Sequence, residues 1–129
     1  MTLNTVKGFL DNTEGKKLAK IAKLCSTLGP CLEIGTYCGK SALILGSVCK
    51  KNKNILFTVD HHTGSEEHQL GEEYHDSDLF DQNISCFNSL PEFLRNLRES
   101  NLANFVLPIV ADSEAVSYTH LTLPTIPQV

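Results

Sequence analysis

The sequence predicts an α/β fold built around a doubly wound parallel sheet of about three strands. Three short stretches rich in apolar and β-branched residues have the length and composition of buried strands, at 31–34, 55–59 and 105–110. Amphipathic stretches precede and separate them, at 13–28, 41–50 and 88–101. Because parallel neighbours are joined through a crossover helix, this alternation predicts a parallel sheet with flanking helices.

Length and composition are those of one ordinary globular domain. The chain has 129 residues, 41% hydrophobic and 20% charged, with a net charge of −4. No basic patch favours nucleic acid, and no stretch of about 18 apolar residues predicts a transmembrane helix. The N-terminus lacks the apolar core of a signal peptide, and five cysteines, an odd number, are typical of reduced thiols. We therefore expect a cytoplasmic protein.

The first half of the chain contains two helices and two strands. The helix at 13–28 is predicted to begin at Thr13 as its N-cap, and Gly29-Pro30 ends it. The strand at 31–34 then leads through a glycine-containing turn into the helix at 41–50. The strand at 55–59 ends at Asp60. This order is the start of a βαβ unit.

The second half adds one helix and one strand. Ser89 is a candidate N-cap for the helix at 88–101, and Pro91 suits its first turn. The following strand contains Pro108, which has no N–H to donate to a neighbouring strand. We therefore expect this strand at an edge of the sheet.

The turn after the first strand carries the clearest functional signal. Its sequence runs from Glu33 through Gly35 to Gly39, as E-I-G-T-Y-C-G, and leaves free N–H groups at the start of the next helix. A dinucleotide site favours G-x-G-x-x-G, whose amides surround a pyrophosphate. An acid at position 33 repels a pyrophosphate and suits a cationic ligand with an ammonium group, such as S-adenosylmethionine. Asp60, at the end of the second strand, is placed to accept ribose hydroxyls from either cofactor.

These residues resemble motif I of the class I S-adenosylmethionine-dependent methyltransferases. The run EIGTYCGKSA is similar to the loop of the catechol and caffeoyl-CoA type O-methyltransferases. With the later run VDHHTGSEEHQ, the sequence is similar to methyltransferase family 24, and the resemblance covers roughly residues 12–115. It implies the N-terminal half of a Rossmann-like domain, S-adenosylmethionine as cofactor and a small-molecule methyl acceptor.

The resemblance also implies roles for individual residues. Glu33 faces the methionine ammonium group, and Ser41 matches a serine that contacts the methionine carboxylate. The loop around this part of the cofactor is formed by Gly35, Thr36, Tyr37 and Gly39. Asp60 takes the ribose hydroxyls, His61 lies near the adenosine, and Asp112 or Ser113 bonds the adenine amine. The sequence identifies no catalytic base.

The segment at 60–81 contains eight acids and four histidines but no lysine or arginine. Imidazole and carboxylate both ligate divalent metals, so His61, His62, His68 and His75 form one hypothesis for a metal site. Their spacing fits no zinc finger and no H-E-x-x-H helix. We therefore predict no metal site, and we interpret the segment as a polar insertion or lid over the mouth of the cofactor crevice.

The last fourteen residues, 116–129, break the pattern. VSYTHLTLPT, which begins at Val116, is the translation of a common transposase sequencing adapter. We therefore predict a native half-domain over residues 1–115 and an adapter-derived tail over 116–129. A fourth strand is then missing beside the first, which leaves an apolar edge. We expect this fragment to be unstable or self-associating, and inactive alone.

Two other functional hypotheses remain. A nicotinamide-dependent oxidoreductase shares the βαβ unit and Asp60, but the acid Glu33 and the three residues between the loop glycines disfavour it. The second hypothesis is a non-catalytic module that binds a metal or a partner through the histidine-rich segment. Oligomeric state does not follow from the sequence.

Overall fold

The computed structural model describes residues 5–64, 77–84 and 86–117. Four helices lie in this part of the chain: α1 (Asn12–Cys25), α2 (Lys40–Lys51), α3 (Leu90–Glu99) and the short α4 (Ser113–Ser117). The strands are β1 (Cys31–Ile34), β2 (Leu56–Asp60), β3 (Phe80–Asp81), β4 (Cys86–Phe87) and β5 (Val106–Val110). The predicted elements are all present, and the small antiparallel β3–β4 pair is an addition that the sequence analysis did not predict.

The main sheet has the order β1-β2-β5, and both pairs are parallel. Cys31, Leu56 and Val106 lie side by side in register. The strand that contains Pro108 pairs only with β2 among the described strands, so its predicted edge position is confirmed. The expected Rossmann-like arrangement of three parallel strands with flanking helices is therefore confirmed.

One face of the sheet packs against helices. Leu56 and Val106 belong to a buried cluster with Leu43 of α2 and with Phe93 and Leu97 of α3. The approach of α2 is close, because a Cβ at Gly46 would lie 2.8 Å from a methyl of Val106. Neighbouring side chains along a strand point to opposite faces, and on the other face Leu32 and Leu107 are 45% and 47% exposed. Helices α2 and α3 therefore cover this face of the sheet.

The start of α1 differs from the prediction. Asp11, not Thr13, is the N-cap, and its side chain accepts a hydrogen bond of 2.8 Å from the N–H of Glu14. The helix also ends at Cys25, three residues before the predicted end at residue 28. Aspartate and threonine are both good N-caps, so residue type alone did not separate the two positions.

No helix in the described ranges is both long enough and apolar enough to cross a membrane.

Candidate functional site

The loop between β1 and α2 is held in a tight left-handed shape. Gly35, Tyr37 and Gly39 have φ angles of 84°, 55° and 97°. Glycine adopts such angles without a steric penalty, whereas Tyr37 needs support from its surroundings. The N–H of Gly35 donates to Val59 of β2 at 2.9 Å, and the N–H of Gly39 donates back to Thr36 at 3.0 Å. The loop is thus tied both to the sheet and to itself.

The Asp60 carboxylate supplies much of that support. Its Oδ2 accepts the N–H groups of Thr36 and Tyr37, both at 2.7 Å, and its Oδ1 accepts the N–H of His62 at 2.9 Å. Burial favours the neutral carboxyl, but the N–H groups of Tyr37, His62 and Thr36 outweigh it and hold the pKa of Asp60 below its ordinary value. The acid predicted to bind ribose is therefore ionised and orders the glycine loop.

Five of the predicted site residues line one crevice at the carboxyl ends of the strands. The crevice has a volume of about 320 Å³, and the five are Gly35, Tyr37, Asp60, His61 and Ser113. Parallel strands present their carboxyl ends at one edge of the sheet, which is why residues far apart in sequence meet here. Asp112 does not line this crevice; its carboxylate accepts the N–H of Glu114 at 2.8 Å.

A second crevice, of about 300 Å³, lies on the other side of the same loop. Gly35 and Tyr37 line both crevices, and here they are joined by Thr36 and Ser41. The opposite wall is the N-terminal segment 7–10. The ring of Phe9 in that segment stacks on Tyr37, with centroids 5.8 Å apart and planes at 24°. Together the two crevices form a groove that passes over Gly35.

Glu33 lies beside this groove but lines neither crevice. Ser41 donates a hydrogen bond to its Oε2, while its Oε1 is buried without a hydrogen-bond partner. Within the described residues the buried hydroxyl of Thr36 makes no hydrogen bond of standard geometry either, but it lies near enough to Glu33 to lower the pKa of that acid. Burial raises the pKa of Glu33 to about 6, with Ser41 and Thr36 opposing the rise and the Asp60 charge adding to it. A cationic donor next to Oε1 would satisfy this carboxylate and return its pKa toward the ordinary value.

The position of Gly35 fits a bound ligand as well. A Cβ built on Gly35 would meet no atom within 4 Å, so the loop leaves open space above it. The carboxylates Glu33 and Asp60 flank that space, one on the Ser41 side and one on the His61 side. The residues present therefore fit a ligand that carries an ammonium group at one end and hydroxyls at the other.

Gly39 is used differently from Gly35. It is buried, and a Cβ there would lie 2.5 Å from Cδ1 of Phe93 on α3. One turn later Asn96 donates from Nδ2 to the carbonyl oxygen of Cys38 at 2.8 Å. Helix α3 therefore packs directly against the end of the loop, and Gly39 permits this contact.

A groove larger than either of these two crevices lies elsewhere in the described part of the chain. It has a volume of about 740 Å³ and runs between α1 and α2, past Gly15, Ile44 and Ser47. None of the predicted site residues lines it. The predicted site residues therefore gather in a smaller crevice, where the carboxyl ends of the strands meet.

The histidines do not assemble a metal site within the described residues. No group of three histidine, cysteine or acidic residues that could hold a metal is found there. His61 is exposed, and its Nδ1 accepts the N–H of Thr63 at 3.0 Å. His62 is buried, and burial lowers its pKa, which the charge of Asp60 partly opposes. His68, His75 and the predicted lid at 65–76 lie outside the described residues, so these hypotheses are not tested.

Three contributors to the site were missed by the sequence analysis. These are the Phe9 wall, the support from α3 through Phe93 and Asn96, and the structural role of His62. The run VKGF at 6–9 has no periodic pattern that predicts packing against the loop. The only available signal for α3 was its strongly apolar stripe, which shows that a face is buried but not against what.

Several solved structures share this fold, and two of the three described below are O-methyltransferases by title. The O-methyltransferase TomG from Streptomyces achromogenes is 19% identical with a TM-score of 0.59, and 92% of this chain matches 42% of TomG. The O-methyltransferase from Bacillus cereus is 18% identical with a TM-score of 0.57, over 90% and 41% of the two chains. Cofactor-bound Rv0187 from MTB is 18% identical with a TM-score of 0.56, over 95% and 42%.

The chain thus spans about 42% of the length of the neighbours TomG and Rv0187. At these identities the likeness shows the fold. Family membership rests on sequence: the Methyltransf_24 family model, described as a methyltransferase domain, matches residues 32–126. The match includes part of the segment 116–129, and the predicted adapter junction stays a prediction. The resemblance stated from the glycine loop is confirmed, and the chain belongs to the Methyltransf_24 methyltransferase-domain family.

Proposed function

We propose that this chain is the cofactor-binding part of an S-adenosylmethionine-dependent methyltransferase that acts on a small molecule. The observation that carries the proposal is the groove over Gly35, with Asp60 in its wall at one end and the buried Oε1 of Glu33 beside the other. TomG was solved with S-adenosylmethionine and the Bacillus cereus enzyme with S-adenosylhomocysteine, which supports the choice of ligand.

Each end of the groove offers a distinct kind of group to the cofactor. Glu33 would pair with the methionine ammonium, and Ser41 would contact the methionine carboxylate. Asp60 orders the loop, and among the described residues its Oδ1 accepts one N–H, that of His62, so it can also accept a ribose hydroxyl. His61 and Ser113 line the adenosine end. Asp112 is turned to Glu114, so we favour Ser113 over Asp112 for the adenine amine.

When bound, the cofactor supplies a methyl group activated on a sulfonium. The residues of this chain would hold the methyl group in a fixed position and exclude water from it. Such positioning is the main contribution expected from an enzyme that catalyses an in-line methyl transfer. Phe9 and Tyr37 form a stacked aromatic pair beside the crossing point of the two crevices. This apolar pair is suited to shield the sulfonium region.

We further propose that the chain binds cofactor without turning over substrate. The described residues supply the loop and three strand ends but no group placed to activate an acceptor. The native half-domain at 1–115 and the adapter-derived tail at 116–129 remain part of this proposal. A cytosolic location is consistent with its five cysteines, none of which forms a disulfide in the described structure.

Equilibrium binding of S-adenosylhomocysteine and of NAD to the 129-residue chain tests the proposal. We expect S-adenosylhomocysteine to bind and NAD to bind at least tenfold more weakly, a difference of about 1.4 kcal/mol. Asp60→Asn removes the charge that accepts the hydroxyl and should weaken S-adenosylhomocysteine about 10- to 100-fold.

Asp81→Asn is the matched control. The Asp81 carboxylate also follows a strand and accepts the N–H two residues later, from Asn83 at 2.9 Å, but it lines neither crevice. Its replacement should leave the dissociation constant unchanged. Equal or tighter binding of NAD, or no binding of either ligand, would contradict the proposed function.

A further inference from the structure

His62 has an unusual backbone for a buried side chain. Its φ angle is 62°, in the left-handed region, and only 2% of the residue is exposed. A residue with a Cβ is strained there, by about 1–2 kcal/mol, and keeps such a conformation only when its surroundings enforce it. The contacts of His62 show what enforces it.

Ser89, at the start of α3, holds His62 on two sides. The Ser89 N–H donates to the His62 carbonyl oxygen at 2.9 Å, and the Ser89 hydroxyl and His62 Nδ1 share a hydrogen bond of 2.7 Å. The imidazole also stacks on Phe93, with centroids 5.5 Å apart and planes at 21°. Ser89 is the N-cap residue of α3, as predicted, but its hydroxyl bonds to His62 and makes no cap hydrogen bond to the helix.

The left-handed backbone at His62 directs its N–H group toward the Asp60 carboxylate. The His62 N–H donates to Oδ1 of Asp60 at 2.9 Å, while Oδ2 faces the loop and accepts from Thr36 and Tyr37. A carboxylate has about four acceptor positions, and three are used by these N–H groups. The carboxylate therefore cannot rotate without breaking several bonds, and its remaining acceptor position belongs to Oδ1.

The same helix supports the opposite side of the loop. Phe93, on which His62 stacks, lies against Gly39, and Asn96 holds the carbonyl of Cys38. These contacts connect α3 to His62, His62 to Asp60, Asp60 to the glycine loop, and the loop back to α3. The position of Ser89 and the direction of the Asp60 carboxylate are thereby coupled.

We propose that His62, held by Ser89, is a positioning residue that directs Oδ1 of Asp60 toward the ribose hydroxyls of the cofactor. This inference deepens the proposed function and rests on it. His62 itself lines neither crevice, so we expect it to make no direct contact with the cofactor. It acts through its N–H on the carboxylate that does.

The test compares two ligands on the 129-residue chain. One is S-adenosylhomocysteine, and the other is its analogue without the ribose 2′- and 3′-hydroxyls. Wild type should bind S-adenosylhomocysteine about tenfold or more tightly than the analogue, because losing a hydrogen bond to a charged acceptor weakens binding by about that factor. His62→Asn and Ser89→Ala should each reduce this preference at least threefold. Asparagine tolerates the left-handed backbone, so His62→Asn removes the imidazole held by Ser89 and Phe93 without adding backbone strain. Ser89→Ala retains the imidazole but removes the hydroxyl that holds its Nδ1.

The expected signature is selective. Binding of S-adenosylhomocysteine weakens, whereas binding of the analogue stays within twofold of wild type, because only the hydroxyl contact is lost. A purely structural role of His62 would weaken both ligands equally and leave the preference unchanged.

Ser26→Ala is the matched control for Ser89→Ala. Ser26 is equally buried, and its hydroxyl accepts a hydrogen bond from Asn52 at 2.6 Å, far from both crevices. The preference should be intact in this variant. A wild-type preference that survives in both His62→Asn and Ser89→Ala overturns the inference and leaves the proposed function standing. If wild type binds neither ligand, the proposed function fails, and this inference fails with it.

Discussion

Replacing Gly39 by alanine should be among the most damaging single-methyl changes in the loop. A Cβ at this position lies 2.5 Å and 2.7 Å from two ring carbons of Phe93. Phe93 is fully buried and belongs to the core cluster, so its ring has little room to withdraw. Overpacking of this kind costs about 1–3 kcal/mol, and the left-handed backbone at φ 97° adds about 1–2 kcal/mol. We therefore expect a loss of about 2–5 kcal/mol in the free energy of unfolding.

Two other glycines separate the contributions to that loss. Gly35→Ala has a similar backbone angle, φ 84°, but its Cβ enters open space, so only the backbone cost of about 1–2 kcal/mol applies. Gly29→Ala has neither a positive φ nor any atom within 4 Å of its Cβ. It should change stability by less than about 1 kcal/mol, and in the stabilising direction if any.

Urea unfolding of the three variants, followed by circular dichroism, is the assay. The midpoints should fall in the order Gly29→Ala, Gly35→Ala, Gly39→Ala, with equal slopes. Binding of S-adenosylhomocysteine gives a second comparison between the Gly35→Ala and Gly39→Ala variants. The alanine methyl at Gly35 occupies the groove, so folded Gly35→Ala should bind S-adenosylhomocysteine at least tenfold more weakly, by about 1.4 kcal/mol. If Gly39→Ala loses no more stability than Gly35→Ala, the contact with Phe93 does not limit this position, and the argument is wrong.

Three further predictions concern separate parts of the chain. Burial raises the pKa of Glu33 from 4.5 to about 6, so protonation of this carboxyl favours the folded state. The stability that Glu33 contributes is therefore fully present below about pH 4.5 and is lost as the pH rises through 6. In urea unfolding at a series of pH values, Glu33→Gln should therefore be more stable than wild type at pH 8, by up to about 2 kcal/mol, but not at pH 4. The same variant should bind S-adenosylhomocysteine less tightly than wild type. Asn96→Ala removes the buried side-chain hydrogen bond from Asn96 to the carbonyl oxygen of Cys38 and should lower the free energy of unfolding by about 1–3 kcal/mol; a loss below about 0.5 kcal/mol would refute that role. The chain should self-associate in sedimentation velocity, and Leu32→Lys, on the uncovered sheet face, should reduce the association; a monomeric wild type at high concentration would disprove this.

The fold was predictable because it depends on local patterns that repeat along the chain. Short β-branched strands and amphipathic helices alternate, and the alternation permits few arrangements other than a parallel sheet. Pro108 further placed its strand at an edge. The error at the start of α1 has the opposite character. Asp11 and Thr13 both suit an N-cap, and the choice depends on which side chain reaches a free N–H, which sequence does not show.

The candidate site was predictable to the extent that it follows from strand ends. Gly35, Asp60 and Ser113 meet in one crevice because each follows the carboxyl end of a parallel strand. Contacts that join distant segments, such as Phe9 with Tyr37 and Asn96 with Cys38, were not predictable. They depend on how helices and termini are placed in space, and a single sequence has no periodic signal for that placement.

The pattern of satisfied and unsatisfied polar groups supports a binding site independently of any resemblance. Buried side-chain atoms without a hydrogen-bond partner occur at three residues in the described ranges: Glu33, Thr36 and Thr58. Glu33 and Thr58 are direct neighbours in register across β1 and β2, and Thr36 follows in the loop, so the three lie close together. At the other end of the sheet, by contrast, Ser26 is buried and accepts from Asn52. Buried groups are rarely left without partners unless a ligand, an ion or a water completes them. The threonine hydroxyls can donate or accept, whereas Oε1 of Glu33 needs a donor. A cationic ligand beside Glu33 would supply that donor and would lower the raised pKa of this acid.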